Sequence, residues 1–160
     1  RLRTQCMPAS STTPATSRLT ALAAHLSSVS VTSNPKMSPK RSPITSHVLD
    51  TTLGKPAQGM PLRLEQQGEH GIGNGNATWT LLGEGLTNAD GRVEDLLPSS
   101  HTLSPGIYKI TFDVAVYFRA INTKSFYPSV TIEFEVERPE EHYHVPLLIN
   151  PFAYSTYRGS

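Results

Sequence analysis

The sequence predicts an all-β fold, an antiparallel β-sandwich, on three observations. Short runs alternate apolar and polar residues at the two-residue period of a strand. Gly, Pro, Asn and Asp punctuate these runs at short intervals, as hairpin connections require. No long segment carries the 3.6-residue apolar stripe of an amphipathic helix, so strands must supply the core by packing one sheet on another.

The strands follow in order. Ile44 to Thr52 (ITSHVLDTT) alternates and stops at Gly54-Lys55-Pro56, with His47 inside it. Met60, Leu62 and Leu64 alternate with Pro61, Arg63 and Glu65, a second half-buried strand. Gly68 to Asn76 holds four glycines, but their spacing is not that of a dinucleotide-binding loop and no helix-forming run follows. A flexible hairpin loop is the expected reading, leading into a third strand at Ala77 to Leu82, where Trp79 packs on the sheet. Asp90-Gly91 is a turn signal, with Arg92 directly after it. Ser104-Pro105-Gly106 turns the chain into another strand, Ile107 to Asp113.

Val114 to Ile121 fits two periods. It alternates, yet Val114, Tyr117, Phe118 and Ile121 also fall at i, i+3, i+4 and i+7. Val130, Ile132, Phe134 and Val136 alternate with Thr131, Glu133, Glu135 and Glu137, giving a strand with an acidic face toward water.

The final nineteen residues, His142 to Ser160, hold the densest chemistry. Strand alternation places His142 and His144 on one face and Tyr143 and Val145 on the other. An apolar run to Ile149, a turn at Asn150-Pro151 and the alternating aromatics Phe152 and Tyr154 complete a hairpin. The chain closes on Tyr157-Arg158-Gly159-Ser160. A phenol, a guanidinium, a glycine that lets a ligand approach the backbone and a hydroxyl are groups suited to a small polar ring.

Charge divides the chain at residue 43. Residues 1–43 carry six Lys or Arg and no acid, whereas 44–160 carry eight against thirteen acids, a net of −5. An acidic folded part excludes a nucleic-acid footprint. Cys6 is the one cysteine, so no intrachain disulfide or cysteine zinc site is available. Nothing approaches eighteen consecutive apolar residues, so no membrane helix is expected. Residues 1–43 are rich in Ser, Thr, Pro and Ala and are expected to stay disordered, because they bury too little apolar surface to offset their ordering entropy. The expected organisation is a leader over 1–43 and one folded domain over 44–160.

Five segments carry a family resemblance: Ser46-His47-Val48-Leu49-Asp50, Thr87 to Arg92 (TNADGR), Gly106 to Asp113, Phe126-Tyr127-Pro128, and the His-Tyr-His-Val-Pro to Tyr-Arg-Gly-Ser ending. In order and spacing they resemble the transthyretin-like 5-hydroxyisourate hydrolases of urate breakdown. The resemblance implies a transthyretin-like sandwich of about eight strands with one short helix, at Val114 to Ile121. It implies catalytic roles for His47, Arg92 and His144, and substrate-binding roles for Tyr157, Arg158, Gly159 and Ser160. Imidazole is the side chain whose ordinary pKa suits activation of water near neutral pH, and a guanidinium suits a developing oxyanion. Which histidine is the base stays open. The resemblance further implies 5-hydroxyisourate as the small-molecule substrate and a homotetramer built as a dimer of dimers. No cofactor and no metal are expected, since His142 and His144 lack a third ligand at metal spacing.

Asn150 departs from the Ser usual in the family, at a turn remote from the expected chemistry. The competing reading is a thyroid hormone carrier, because transthyretin shares this fold. In transthyretin, however, the positions matching His47, Arg92 and His144 are not His, Arg and His, and the Tyr-Arg-Gly-Ser end is missing.

Within the leader, Arg18-Leu19, five further residues and His25-Leu26 resemble the N-terminal peroxisomal targeting nonapeptide. Helical spacing aligns these residues with Leu22 in one stripe for an import receptor. The expected location is the peroxisome, with mitochondrion and cytoplasm as alternatives, since basic, acid-poor leaders also describe mitochondrial transit peptides.

Overall fold

The computed structural model describes residues 41–68 and 78–160. The targeting residues Arg18, Leu19, His25 and Leu26, and the glycine-rich connection over 69–77, lie outside the described residues.

Among the described residues, nine strands and one helix follow in chain order: β1 (Ile44–Asp50), β2 (Lys55–Pro56), β3 (Pro61–Gln67), β4 (Trp79–Leu86), β5 (Arg92–Val93), β6 (Gly106–Phe112), α1 (Val114–Ala120), β7 (Val130–Val136), β8 (Tyr143–Asn150) and β9 (Ala153–Thr156). They form two sheets. One runs β2-β1-β8-β9 with β5 also on β1, and the other runs β4-β3-β6-β7. The count exceeds the expected eight because β2 and β5 are two residues long, too short to show a period. Both lie along the edge of β1 not taken by β8 and cover it in two pieces, which removes a free strand edge.

All pairs are antiparallel except β1 with β8, which run parallel. A parallel pair needs a long crossover, and here everything between Asp50 and Tyr143 supplies it. This pairing joins the first strand to the histidine-bearing one.

Alternation then sorts side chains between core and outside. On β8, Tyr143, Val145, Leu147 and Ile149 are buried, and on β1 Ile44, Ser46, Val48 and Asp50 are buried. They meet Leu62 and Leu64 of β3 and Tyr108, Ile110 and Phe112 of β6 across the sandwich. Each such apolar side chain contributes roughly 1.5–3 kcal/mol on burial. The register leaves Thr45, His47 and His144 on the opposite, outer face.

Two polar groups on the core side are satisfied. Ser46 Oγ donates to the Val145 carbonyl at 2.8 Å. Asp50 is fully buried, and its carboxylate accepts from the Tyr117 hydroxyl at 3.0 Å and from the backbone of Thr52 and Leu53. Burial and the neighbouring Asp50 push the Tyr117 phenol up to about 12.

The ambiguous segment is helical. Asp113 caps it, accepting from Val116 N at 3.2 Å, and Asn122 ends it in the left-handed region at φ 54°. Val114, Tyr117 and Phe118 are the buried face.

Candidate active site

Three backbone devices bring the functional side chains to one patch. The first is the β1–β8 register, which sets Thr45 beside His144 and His47 beside Pro146. The second is the β1–β5 register, which sets His47 opposite Arg92. A turn delivers that arginine: the Asn88 side chain accepts from the backbone N–H groups of Asp90 and Arg92, each at 2.9 Å. Gly91 within it has φ 70°, and a Cβ there would overlap the Val48 carbonyl, so glycine is required. The third device is the chain end. Gly159 N donates to the His144 carbonyl at 3.0 Å, and a Cβ on Gly159 would run into the His144 ring. The terminus therefore lies directly across the imidazole.

A cavity of about 220 Å³ results; Thr45, Arg92, His142, His144 and Ser160 line it, as do Arg41 and Glu94. Its size suits a small ring better than a drug-sized ligand, whose pockets start near ~300 Å³. The larger hollow of about 590 Å³, near Arg63, Glu84 and Asp113, contains no imidazole and opens broadly to solvent.

Thr45 is the hub of the polar contacts. Its Oγ1 lies 2.9 Å from His144 Nδ1 and 3.0 Å from His142 Nε2. Both site imidazoles have lowered pKa values. For His47 the first cause is burial and the second is the Arg92 charge, opposed by the Asp90 carbonyl and carboxylate. For His144 burial again leads, followed by Arg92, His142 and His47, with the Thr45 carbonyl acting the other way. Both rings are therefore neutral and able to accept a proton at neutral pH.

The structure brings Arg92, His144 and Ser160 to the cavity, with His47 paired opposite Arg92 and Gly159 against the His144 ring. It does not bring Tyr157 and Arg158 into the same cavity of the single chain. Arg158 pairs with Glu141 at 2.6 Å and lies over the Tyr143 ring, on the other side of β8. With Tyr157 it lines a second groove of about 260 Å³ beside Phe134 and Glu135, which His144 also borders. Sequence reasoning passed over Thr45. The available signal was its position two residues before His47, on the same face of β1. Among the described residues no three His, Cys, Asp or Glu side chains are placed to hold a metal ion.

A two-sheet sandwich with a buried β1–β8 seam and two neutral imidazoles beside a guanidinium on its outer face defines a transthyretin-like protein with an acid–base site. Residues 44–159 match the model of the HIUase/Transthyretin family, and the chain belongs to that family. It is 42% identical over 124 residues to a 5-hydroxyisourate hydrolase from Mus musculus, covering 78% of this chain and 100% of the relative. The solved 5-hydroxyisourate hydrolase of Klebsiella pneumoniae aligns with a TM-score of 0.60 at 32% identity, over 73% of this chain and 97% of its own. Sea bream transthyretin in complex with thyroxine aligns with a TM-score of 0.64 at 27% identity, over 74% and 95%. Backbone shape is thus shared by a hydrolase and a thyroxine-bound transthyretin alike, and the side chains must separate them.

Proposed function

We propose that this chain hydrolyses 5-hydroxyisourate to the ring-opened ureidoimidazoline carboxylate in urate catabolism. The observation that carries the reading is the pair of neutral imidazoles, His47 and His144, around Arg92 on the outer face of the β1–β8 seam. Relatives at about 40% identity that bear the hydrolase name support it. A carrier has no use for an acid–base pair at that place.

One imidazole takes a proton from water as the oxygen adds to the cyclic amide carbonyl. Negative charge develops on the carbonyl oxygen next to Arg92, whose guanidinium stabilises it. The C–N bond then breaks, and the imidazolium returns its proton to the departing nitrogen. The carboxylic acid formed loses one proton to solvent. Gly159 and Ser160 close the cavity across His144. The substrate-binding roles of Tyr157 and Arg158 rest on their adjacency to these two residues and on the family resemblance.

The oligomer proposed is a homotetramer. Support comes from β9, wholly exposed at a sheet edge, and from the exposed aromatics Phe152, Tyr154 and Tyr157 around it. Edge pairing makes a dimer, and the outer faces bearing the imidazoles close on one another in pairs. Light scattering on the eluting protein tests this. Residues 1–43 are proposed as a peroxisomal leader read through Arg18, Leu19, His25 and Leu26, and a fluorescent reporter fused after residues 7–43 tests the compartment.

The activity test generates 5-hydroxyisourate with urate oxidase and follows its decay by ultraviolet absorbance. Acceleration by the purified protein is expected. No acceleration, together with thyroxine binding by the same preparation, would establish the carrier instead.

A further inference from the structure

Arg41 precedes β1 and lines the same cavity as Arg92, His144 and Ser160. Its placement follows from the two residues after it. Ser42 stands before a proline, which disfavours helical backbone there, and it is buried and tied down. Its N–H donates to the Glu94 carbonyl at 3.3 Å, and its Oγ donates to the Ile44 carbonyl at 2.6 Å and accepts from Leu97 N at 3.2 Å. The Pro43 carbonyl accepts from Tyr143 N at 2.9 Å. The backbone next to Arg41 is thereby fastened to the segment after β5 and to β8, the two parts of the chain that supply Arg92 and His144. The Arg41 side chain is exposed to solvent on this fixed backbone. The family match covers residues 44–159, so Arg41 lies outside it.

Charge decides what Arg41 offers. An arginine is a permanent cation with a planar fork of donors. Arg41 and Arg92 set two guanidiniums on one cavity against the Glu94 carboxylate, an excess of positive charge suited to an anion. Among the described residues neither Arg41 nor Glu94 enters an ion pair, whereas Arg158 is engaged with Glu141.

We propose that Arg41 is a substrate-binding residue that takes the carbonyl edge of an anionic oxidised purine remote from the bond being hydrolysed. The inference rests on the hydrolase reading for the identity of the substrate. That substrate carries several carbonyl groups, and only one is attacked; the others present acceptors that a second guanidinium fork meets. Position divides the two arginines. Arg92 stands opposite His47, whereas Arg41 comes before the first residue of β1 and adjoins the link to Glu94, two residues beyond Arg92. Arg92 therefore serves the carbonyl under attack and Arg41 the edge that does not react. Contacts to an unreacting edge are equally strong in the ground state and the transition state, so they lower KM and leave kcat alone.

The experiment compares the full wild-type chain with Arg41→Ala and Arg41→Lys in two measurements. Calorimetric titration with urate, an oxidised-purine anion, reads binding without turnover, and the absorbance assay reads kcat and KM for 5-hydroxyisourate. Arg41→Ala is expected to weaken urate binding and to raise KM by about tenfold each, the scale of one charge-assisted hydrogen bond, with kcat within about twofold of wild type. Arg41→Lys keeps the charge and loses the fork, and is expected to fall between the two. Added salt narrows the gap between wild type and Arg41→Ala, because an exposed charge is screened. Unchanged urate affinity in Arg41→Ala overturns the proposal, as does a wild type that binds no urate, or a variant whose loss is in kcat at unchanged KM. Should the wild type bind urate and fail to hydrolyse 5-hydroxyisourate, the hydrolase reading falls and the urate titration still decides this one.

Discussion

His47 and Arg92 sit directly opposite one another on β1 and β5, an imidazole and a guanidinium on one face of a two-residue strand pairing. The arginine charge is second only to burial in lowering the pKa of both His47 and His144. One residue thus serves two purposes, keeping the bases unprotonated and receiving the developing oxyanion.

Replacing Arg92 by Ala is therefore expected to do two things. Loss of the donor lowers kcat by about 10²–10³-fold, and loss of the nearby positive charge moves the acid limb of the rate profile to higher pH. A pH profile of kcat/KM that falls in height without moving would separate the two roles and refute the second.

The lowered imidazole pKa values also predict how stability depends on pH. Unfolded histidine titrates near 6.5, and the folded rings titrate below that. Between the two values the unfolded chain binds more protons, so the contribution to stability is complete above 6.5 and is lost as pH falls through the folded values. Urea denaturation at a series of pH values from 5 to 8, a span of about the histidine range, measures the slope. His144→Gln is expected to flatten it.

Gly159→Ala tests the placement of the terminus. The added methyl collides with the His144 ring, and the chain end must move aside. A displacement of about 1 Å near reacting groups costs on the order of 10²-fold in rate, whereas a change at a half-buried residue beside the last one, outside the core, is expected to leave stability within about 0.5 kcal/mol. Equal loss of activity and melting temperature would point to a folding role. A C-terminal tag is expected to behave like this variant.

Tyr117→Phe examines the opposite face of β1. It removes one donor from the buried Asp50 carboxylate and is expected to cost about 1–3 kcal/mol of stability. Turnover at a temperature where the variant stays folded is expected to match wild type, because Asp50 points into the core and the imidazoles point out. Denaturation and the absorbance assay together check it.

Much of this arrangement was legible beforehand. Alternation in Ile44–Asp50, Val130–Val136 and Tyr143–Asn150 marks each strand and its buried face, because a side-chain period of two is local to the chain. The same rule placed His142 and His144 together and apart from Tyr143. Motif resemblance, residue by residue, named His47, Arg92 and His144 as partners. Periodicity left Val114–Ala120 undecided; Asp113 as cap and Asn122 as terminator resolve it as a helix.

What the sequence by itself determined is which residues lie inward and outward on β1, β7 and β8; it ended β4 at Leu82 where the strand runs to Leu86, and it did not show β2 and β5. Only the tertiary structure decided which strands are neighbours. The parallel β1–β8 pairing spans almost the whole folded part, and no local pattern encodes a partner that far away. That pairing sets Thr45 against both histidines, and the chain end bridging to His144 sends Gly159 and Ser160 to the cavity while Arg158 turns to Glu141. Hydrogen-bond register across sheets, and not residue type, made these choices.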